Sequence, residues 1–304
     1  MSRLLFASGA KGDIVRRMQR KLSDLGFYTK PIDGDYGNGT KTAVLAFQES
    51  KGLPQNGQID TDTWTALMNA DIPAVDERCL GLTSTFEGHG YTLAQGNFDG
   101  AGITWGIIGF TLKHGELTKI IKQAFAEDPE LVRSCFGDKA DELLTNLDKP
   151  VDEQIAWADS ISEGTTKARL AEPWKSAFAK FGDTPLAQRL QRERVVTSYY
   201  EPARATAARF GLKSELGTAL CFDIHVQNGG IKEAAAAQVR AQITADTPEK
   251  DIRIAIANAV ADNALERWRD DVRQRKLAIA QGEGSVHGAP AFVLRNWGLD
   301  EFDA

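Results

Sequence analysis

The sequence lacks any segment that would place the chain in a membrane. No apolar run approaches the roughly 20 residues needed to span a bilayer, and the first residues lack the apolar core of a secretory signal. The chain is therefore expected not to insert into a membrane and to be made and folded in the cytoplasm.

Cysteine and histidine are scarce. Three cysteines and four histidines are present, namely Cys79, Cys135, Cys221, His89, His114, His225 and His287. An odd number of widely separated cysteines argues against a disulfide framework, and neither a CxxC nor an HExxH motif occurs. We expect buried free thiols, no metal site and no cofactor.

An excess of positive charge is also absent. The net charge is −6; residues 1–72 hold nine Lys/Arg and eight Asp/Glu, and the remainder holds 27 and 34. Nucleic-acid binding requires clustered positive charge to neutralise phosphates. We therefore expect no nucleic-acid partner.

Length and composition indicate a folded chain with two parts. A chain of 304 residues with 42% hydrophobic and 26% charged residues is typical of a globular protein of about two domains. Asp71–Asp76 breaks the helical pattern at a proline. We place domains at 1–70 and 77–304 with a linker at 71–76, and take a monomer as the default.

Three short amphipathic helices are predicted in residues 1–70. The first carries apolar residues at helical spacing from Ile14 to Leu25 and ends at Gly26. The second follows Thr40 as its N-cap and stops at Gly52, and the third begins near Asp60.

A short internal repeat supports this division. One turn-and-helix pattern recurs after 23 residues: Gly34, Thr40, Ala43 and Val44 are matched by Gly57, Thr63, Ala66 and Leu67. The repeat indicates a compact unit built from two similar elements.

Residues 9–69 resemble the peptidoglycan-binding module of many wall hydrolases. The resemblance rests on an ordered string that includes Gly12–Val15, Leu25–Tyr28, Ile32–Gly37, Gly52–Leu53 and Thr63–Trp64. It implies bacterial peptidoglycan as a partner, with Asp35, Tyr36 and Asn38 as the expected wall-binding residues. Taken singly, these three residue types are equally typical of a turn.

A helix ending in a glutamate is predicted after the linker. Apolar residues from Cys79 to Phe86 favour a helix that ends at Glu87. The negative end of the helix dipole disfavours a charged carboxylate there and should raise its pKa. A general acid needs such a raised pKa at neutral pH.

A β-hairpin is predicted directly after this helix. Tyr91–Gly106 places apolar and β-branched residues on both sides of an Asp-Gly turn that contains Asp99, with Thr104 beyond it. Inverting glycoside hydrolysis uses one carboxylic acid and one carboxylate about 6.5–9.5 Å apart, with a water between them. Glu87, Asp99 and Thr104 would supply the acid, the base and the water-positioning residue.

The order of these residues is more specific than any one of them. Singly, a Glu is typical of an exposed surface, Asp-Gly of a turn and Thr of a strand. Together, Ser84–Glu87 and Asp99–Phe110 resemble the catalytic segments of chitosanases, members of the lysozyme superfamily. The resemblance implies that Glu87 is the acid, Asp99 the base and Thr104 the residue that holds the water.

The resemblance continues more loosely over most of residues 77–297. It passes through Tyr199–Ala203, Phe222–Gly230 and Ala278–Gly284, and it implies a mainly α, lysozyme-like α+β domain with a short hairpin. The domain is predicted to be rich in helices, with stretches near 116–127, 151–161, 185–210, 214–227, 231–244 and 250–280. Sugar contacts are predicted for Trp105, Asp223, His225 and Gln227. The alternative for the last three is that they cap and pack a core helix.

Two departures from the chitosanase pattern favour a related glycan. Ala101 replaces an arginine of the chitosanase turn, and Asp99 follows Glu87 by only 12 positions, through Gly88–Gly90. The preferred hypothesis is a muramidase-type bacteriophage endolysin that remains in the host cytoplasm until it is released to the wall.

Three alternatives stay open. A chitosanase is favoured by the acidic C-terminal part, since chitosan is cationic and peptidoglycan anionic. A lytic transglycosylase would need only the acid. A wall-binding structural protein would have no activity.

Overall fold

The computed structural model describes residues 2–87, 90–286 and 292–304, so Gly88, His89 and His287 lie outside the described residues. The chain is mostly helical, with several small sheets. It divides into two compact units. The first comprises the residues up to Thr85 together with Ser198–Ala304, and the second comprises Phe86–Thr197.

The three predicted N-terminal helices are confirmed. The elements in chain order are β1 (Leu4–Phe6), α1 (Asp13–Asp24), α2 (Asn38–Lys51), β2 (Ile59–Asp60) and α3 (Thr61–Met68). Strands β1 and β2 pair antiparallel. Gly26 and Gly52 follow α1 and α2 with φ of 81° and 64°, the left-handed conformation that ends a helix at low cost.

Thr40 is not the N-cap of α2, which corrects the prediction. The helix begins at Asn38, so Thr40 lies within its first turn. Its buried hydroxyl donates to the Asp35 carbonyl at 3.1 Å and accepts from Gln19 Nε2 at 3.0 Å. Thr40 therefore joins the turn before α2 to α1.

Gln19 and Gln48, both fully buried, form the centres of the internal repeat. Gln19 Oε1 accepts from the Gly34 amide at 2.8 Å, and Gln48 Oε1 accepts from the Gly57 amide at 3.0 Å. Gln48 Nε2 donates to Thr63 Oγ1 at 3.2 Å, as Gln19 does to Thr40. Each glutamine therefore ties one turn to the threonine of the helix that follows it.

The predicted linker is partly helical and is held in place. Helix α4 (Val75–Glu87) begins inside it. Trp64 Nε1 donates to the Asp71 carbonyl at 2.9 Å, and Arg78 Nε donates to the Pro73 carbonyl at 3.0 Å. The segment is thus fixed at both ends.

The second unit begins with the predicted hairpin. Strands β3 (Ala94–Gln95), β4 (Thr104–Trp105) and β5 (Phe110–Thr111) form an antiparallel sheet in that order. Gln95 and Thr111 are the partners of Thr104 on either side. The remaining elements are α5 (Glu116–Glu127), α6 (Pro129–Phe136), α7 (Ala140–Leu147), α8 (Val151–Ser160), β6 (Ser162–Glu163), β7 (Arg169–Leu170), α9 (Trp174–Gly182) and α10 (Pro185–Val195).

The chain returns to the first unit through a π-helical turn, Val196–Tyr200. The elements that follow are α11 (Glu201–Arg209), α12 (Glu215–Asn228), α13 (Glu233–Gln242), α14 (Glu249–Asp262), α15 (Arg269–Gln281), β8 (Glu283–Gly284) and β9 (Phe292–Val293). Short 3₁₀ turns precede α15 and follow β9. The helix predicted over 250–280 is therefore two helices.

A buried carboxylate joins the N-terminal strand to the later helices of the same unit. Glu215 is 1% exposed and accepts from Arg3 and, at 2.8 Å, from Arg78 Nη2. Both arginines also donate to the Gly298 carbonyl. Nearby, Trp297 Nε1 donates to the Lys11 carbonyl at 3.2 Å.

Candidate active site

Glu87 is the last residue of α4, as predicted, and its side chain is half-buried. Thr83 lies one turn earlier on the same helix, and its hydroxyl donates to Asp223 Oδ1 at 3.0 Å. Because Thr83 is itself 1% exposed, this contact holds the Thr83 turn of α4 in the core of the first unit.

Asp99 lies in the loop that joins β3 to β4 and is exposed to solvent. The loop is anchored by Asn97, whose Oδ1 accepts from the Gly102 amide at 2.9 Å and whose Nδ2 donates to Asp159 at 3.2 Å. Asp99 Oδ1 accepts from the Ala101 amide at 3.0 Å. This leaves an anionic side chain at the tip of a braced turn.

Thr104 is the first residue of β4 and is 6% exposed. Its Oγ1 is buried and has no hydrogen-bond partner among the described residues. A buried hydroxyl without a partner costs free energy, so it needs an explanation. A water or substrate group held during the reaction would supply the partner.

Trp105 does not fit the predicted stacking on sugar. The indole is fully buried, its Nε1 donates to the Phe178 carbonyl at 3.0 Å, and its ring stacks on Phe181 at 5.5 Å. It is a core residue of the second unit, because both faces of β4 are covered.

Phe98 is an exposed aromatic residue that the sequence analysis missed. It is 47% exposed and directly precedes Asp99 in the hairpin loop. The sequence held a signal, since an aromatic residue at the tip of a predicted turn has no core to enter. An exposed aromatic ring of this kind is a candidate for stacking on a ligand ring.

Asp223 is also a core residue, which corrects the prediction of a sugar contact. It is fully buried and accepts from Arg275 Nη2 at 2.7 Å and Lys276 Nζ at 2.5 Å, as well as from Thr83. Burial alone would raise the pKa of Asp223, but the charges and hydrogen bonds of Arg275 and Lys276 outweigh it and hold that pKa well below its usual range.

His225 and Gln227 are half-buried on α12 and fit the packing alternative better. His225 Nε2 lies 2.9 Å from Thr206 Oγ1, and Gln227 Oε1 accepts from Lys276 Nζ at 2.6 Å. Burial, together with the charge of Lys232, lowers the pKa of His225. His225 therefore braces α12, whereas Gln227 also lines a cavity beside α12 and α15, so its sugar contact stays a prediction.

The predicted wall-binding residues divide into one buried and two exposed. Tyr36 is 1% exposed and donates to the Gly57 carbonyl at 3.1 Å, and burial raises its pKa. The expectation of wall contact through Tyr36 is therefore corrected. Asp35 and Asn38 are exposed, and Asp35 pairs with Lys11 at 2.8 Å.

The described ranges contain neither a group of metal-binding side chains nor a membrane-spanning helix. Within residues 2–87, 90–286 and 292–304, no three or more His, Cys, Asp or Glu side chains are grouped so that they could hold a metal ion. In the same ranges, no helix is long and apolar enough to cross a membrane.

Two family models match separate parts of the chain. Residues 11–67 match the peptidoglycan binding domain, and residues 83–275 match glycosyl hydrolase family 46. The second match covers more than half of the chain and includes Glu87, Asp99 and Thr104. The chain belongs to glycosyl hydrolase family 46. This family 46 protein is thus a glycoside hydrolase with a helical peptidoglycan-binding domain.

Curated relatives match a short part of the family 46 chain. Over 62 residues it is 42% identical to a spore cortex-lytic enzyme of Bacillus cereus, covering 20% of this chain and 24% of that protein. Over 62 residues it is 37% identical to the N-acetylmuramoyl-L-alanine amidase CwlM of Mycobacterium tuberculosis, covering 20% and 15%. The match thus spans less than a quarter of the length of these relatives.

Solved structures share the fold of the family 46 domain. The native chitosanase from Bacillus subtilis MY002 aligns with a TM-score of 0.51 at 16% identity, covering 73% of this chain and 99% of that one. A mutant of a chitosanase from the same strain, complexed with 6 GlcN, aligns with a TM-score of 0.50 at 16% identity, covering 74% and 100%.

Proposed function

We propose that this family 46 hydrolase cuts the glycan strand of bacterial peptidoglycan by inversion, with Glu87 as the acid and Asp99 as the base. The observation that carries the proposal is Thr104, a buried hydroxyl without a partner among the described residues, on the same hairpin as the exposed Asp99. A braced carboxylate and an unsatisfied hydroxyl are the groups that a positioned water needs.

The chemistry follows from these roles. Glu87 donates a proton to the departing glycosidic oxygen as the bond to the anomeric carbon breaks. Thr104 Oγ1 orients a water, Asp99 removes its proton, and the water oxygen bonds to the anomeric carbon on the opposite face. The products are two glycan ends, one of them a reducing end of inverted configuration.

Two observations support peptidoglycan as the substrate. A peptidoglycan-binding domain precedes the hydrolase, and the relatives of that domain include a spore cortex-lytic enzyme. A bound module keeps the hydrolase near its substrate and raises the local concentration. The protein then acts as a monomeric bacteriophage endolysin, held in the host cytoplasm until its release to the wall.

Chitosan is the second candidate substrate. Solved structures that share the fold include chitosanases, and the chain beyond residue 72 has 34 acidic against 27 basic residues. That excess favours a cationic glycan electrostatically.

Product analysis distinguishes the candidates. Purified peptidoglycan and chitosan are incubated separately with wild type, Glu87→Gln and Asp99→Asn, and the products are read by mass spectrometry. New reducing ends from peptidoglycan are expected from wild type and from neither Glu87→Gln nor Asp99→Asn. Glu163→Gln, a change at an exposed glutamate of the same unit, is the matched control and should retain full activity.

Other outcomes would overturn parts of the proposal. If chitosan oligomers are the only products, the substrate is chitosan and not peptidoglycan. Anhydro ends from peptidoglycan, with full activity in Asp99→Asn, would indicate a lytic transglycosylase. Full activity in Glu87→Gln would show that Glu87 is not the general acid. Wall binding without any product would indicate a structural protein.

A further inference from the structure

A cavity of about 530 Å³ opens in the first unit, where α12, α13, α14 and α15 meet. Its lining includes the buried side chains Ala235, Val260 and Val272. All of the residues that line it belong to the first unit, so Glu87, Asp99 and Thr104 take no part in it. The size suits one or two sugar rings.

Two large apolar side chains line this cavity and remain exposed. Leu265 is 67% exposed and Trp268 is 54% exposed, the highest values among the large hydrophobic side chains described in the chain. Both lie in the connection between α14 and α15, three residues apart. Scattered single apolar residues are ordinary on a surface, whereas these two lie together beside a concave site, where ligands bind preferentially. An exposed indole is also the side chain best suited to stacking on a sugar ring.

The cavity also contains an amide with unused hydrogen-bonding capacity. Asn228 lines it, and its Oδ1 is buried without a partner among the described residues. The terminal torsion of Asn is broad, so rotation of the amide can present this acceptor to a ligand. An N–H or O–H group of the ligand would then replace the missing donor.

The charges and apolar side chains that line the cavity indicate which class of sugar it suits. Lys232 and Asp271 both line the cavity, so a cation and an anion are present together, and charge alone does not favour the ammonium of a deacetylated sugar. The apolar floor suits a methyl group, and the Asn228 acceptor suits an amide N–H. An acetamido group supplies both.

We infer that this cavity, hereafter the Trp268 cavity, binds an N-acetylated amino sugar of a glycan strand. Trp268 stacks on the ring, the acetyl methyl enters the floor lined by Ala235, Val260 and Val272, and the acetamido N–H donates to Asn228. This inference deepens the proposed function, since it assigns the N-acetylated glycan class to a second point of contact on the same chain.

The indole signal of Trp268 provides a local test. The full-length chain carrying Glu87→Gln, which prevents cleavage, is labelled with ¹⁵N at its tryptophan indoles, and Trp268→Phe identifies the signal. Titration with the fully N-acetylated chitotetraose should move that signal. The fully deacetylated tetrasaccharide should move it at least about tenfold less at equal concentration. An unmoved signal with the acetylated probe, or a larger shift with the deacetylated one, would overturn the inference.

Two variants in the same background test the residues. Trp268→Ala lacks the reporting indole, so binding is compared by isothermal titration calorimetry, and this variant should bind the acetylated tetrasaccharide at this site about tenfold more weakly. Phe302→Ala, which removes a 49%-exposed aromatic outside the cavity, is the control and should leave the affinity unchanged. Asn228→Leu should abolish the signal shift without lowering the thermal midpoint, because it removes an unsatisfied acceptor. Binding as tight in Trp268→Ala and Asn228→Leu as in the Phe302→Ala control would show that the cavity is not the site. Because cleavage is not measured, loss of the proposed catalysis leaves these results interpretable.

Discussion

At the scale of single residues, a change at Thr104 should affect the proposed hydrolysis and the stability of the fold in different ways. Thr104→Val keeps the shape of the side chain and removes the unsatisfied oxygen, so the free energy of unfolding should be unchanged or rise by about 1 kcal/mol. Hydrolysis should fall by roughly 10²-fold, since the base loses its positioned water. Denaturant unfolding and the rate of reducing-end release measure the two effects.

The matched control is Thr111→Val, in the strand beside Thr104. Thr111 is the cross-strand partner of Thr104, but its hydroxyl lies 2.8 Å from His114 Nδ1 and is exposed. This variant should keep nearly full activity. If Thr104→Val is as active as Thr111→Val, the water-positioning role is wrong.

Phe98 should contribute to substrate binding rather than to bond cleavage. Its ring is 47% exposed beside Asp99, so Phe98→Ala should raise KM several-fold, by about 1 kcal/mol of stacking, with kcat little changed. Val151→Ala, at another exposed apolar residue of the same unit, should change neither constant. A fall in kcat alone would contradict the assignment.

The Asp223 carboxylate should govern stability in acid. Asp223→Asn leaves Arg275 and Lys276 buried without their anion, which should cost about 3–5 kcal/mol of unfolding free energy at pH 7. The pKa of Asp223 is lowered in the folded state. Its contribution is therefore fully present above the unfolded pKa of about 3.9 and is lost as the pH falls toward the folded value.

Urea unfolding between pH 7 and pH 3 measures this dependence. Wild type should lose stability over the acid end of that range more steeply than Asp223→Asn does. Asp141→Asn, which breaks the exposed pair with Arg133, should cost less than about 1 kcal/mol at every pH. Parallel curves for wild type and Asp223→Asn would contradict the assigned cause.

Residue type predicts chemistry better than it predicts burial. Roles could be predicted for Glu87, Asp99 and Thr104 because their order resembles the catalytic segments of chitosanases. The helix that ends at Glu87 and the hairpin after it both lie where they were predicted. Trp105, Asp223 and Tyr36 were expected to contact ligands, but Phe181, Arg275 and the Gly57 carbonyl cover them or take their polar groups. Those partners come from distant parts of the chain, so spacing alone does not reveal them.

At the scale of elements, the predicted helices were those with a long apolar face. The helix at 116–127 matches α5, and 151–161 differs from α8 by one residue. Helices α6 and α7 were missed because eight residues give too few turns for a periodic pattern. Residues 263–268 contain neither proline nor glycine, so the interruption between α14 and α15 was not predicted.

The buried glutamines should be the main polar supports of the N-terminal helices. Gln19→Leu leaves the Gly34 amide and the Thr40 hydroxyl short of a partner, which should cost about 1–3 kcal/mol of unfolding free energy. Gln55→Leu, at an exposed site of the same module, should change stability by less than about 0.5 kcal/mol. Thermal and denaturant midpoints measure both, and equal stability of the two variants would show that the Gln19 contacts do not matter.

At the scale of the whole molecule, the N-terminal module is built into the first unit. A sequence divided at 1–70, 71–76 and 77–304 suggests a module on a tether, and these boundaries stay a prediction. Within the first unit, however, Arg3 and Arg78 share the buried Glu215. The carboxylate acceptor and the guanidinium donors are more than a hundred residues apart, and sequence patterns do not pair them.

The consequence is that removing residues 1–72 should do more than weaken wall binding. The deletion removes Arg3 from Glu215 and uncovers the backbone around Trp297, so the remaining chain should unfold at a lower temperature and lose activity on soluble glycan fragments as well. Arg3→Met in the full chain removes one of the two guanidinium partners of Glu215, which keeps Arg78, and should cost about 1–3 kcal/mol of unfolding free energy. Arg20→Met, at an exposed position of α1, is the matched control.

Calorimetry should show one transition for the first unit in wild type. A deletion variant that keeps wild-type stability and full activity on soluble fragments would show instead that the module is an independent tether.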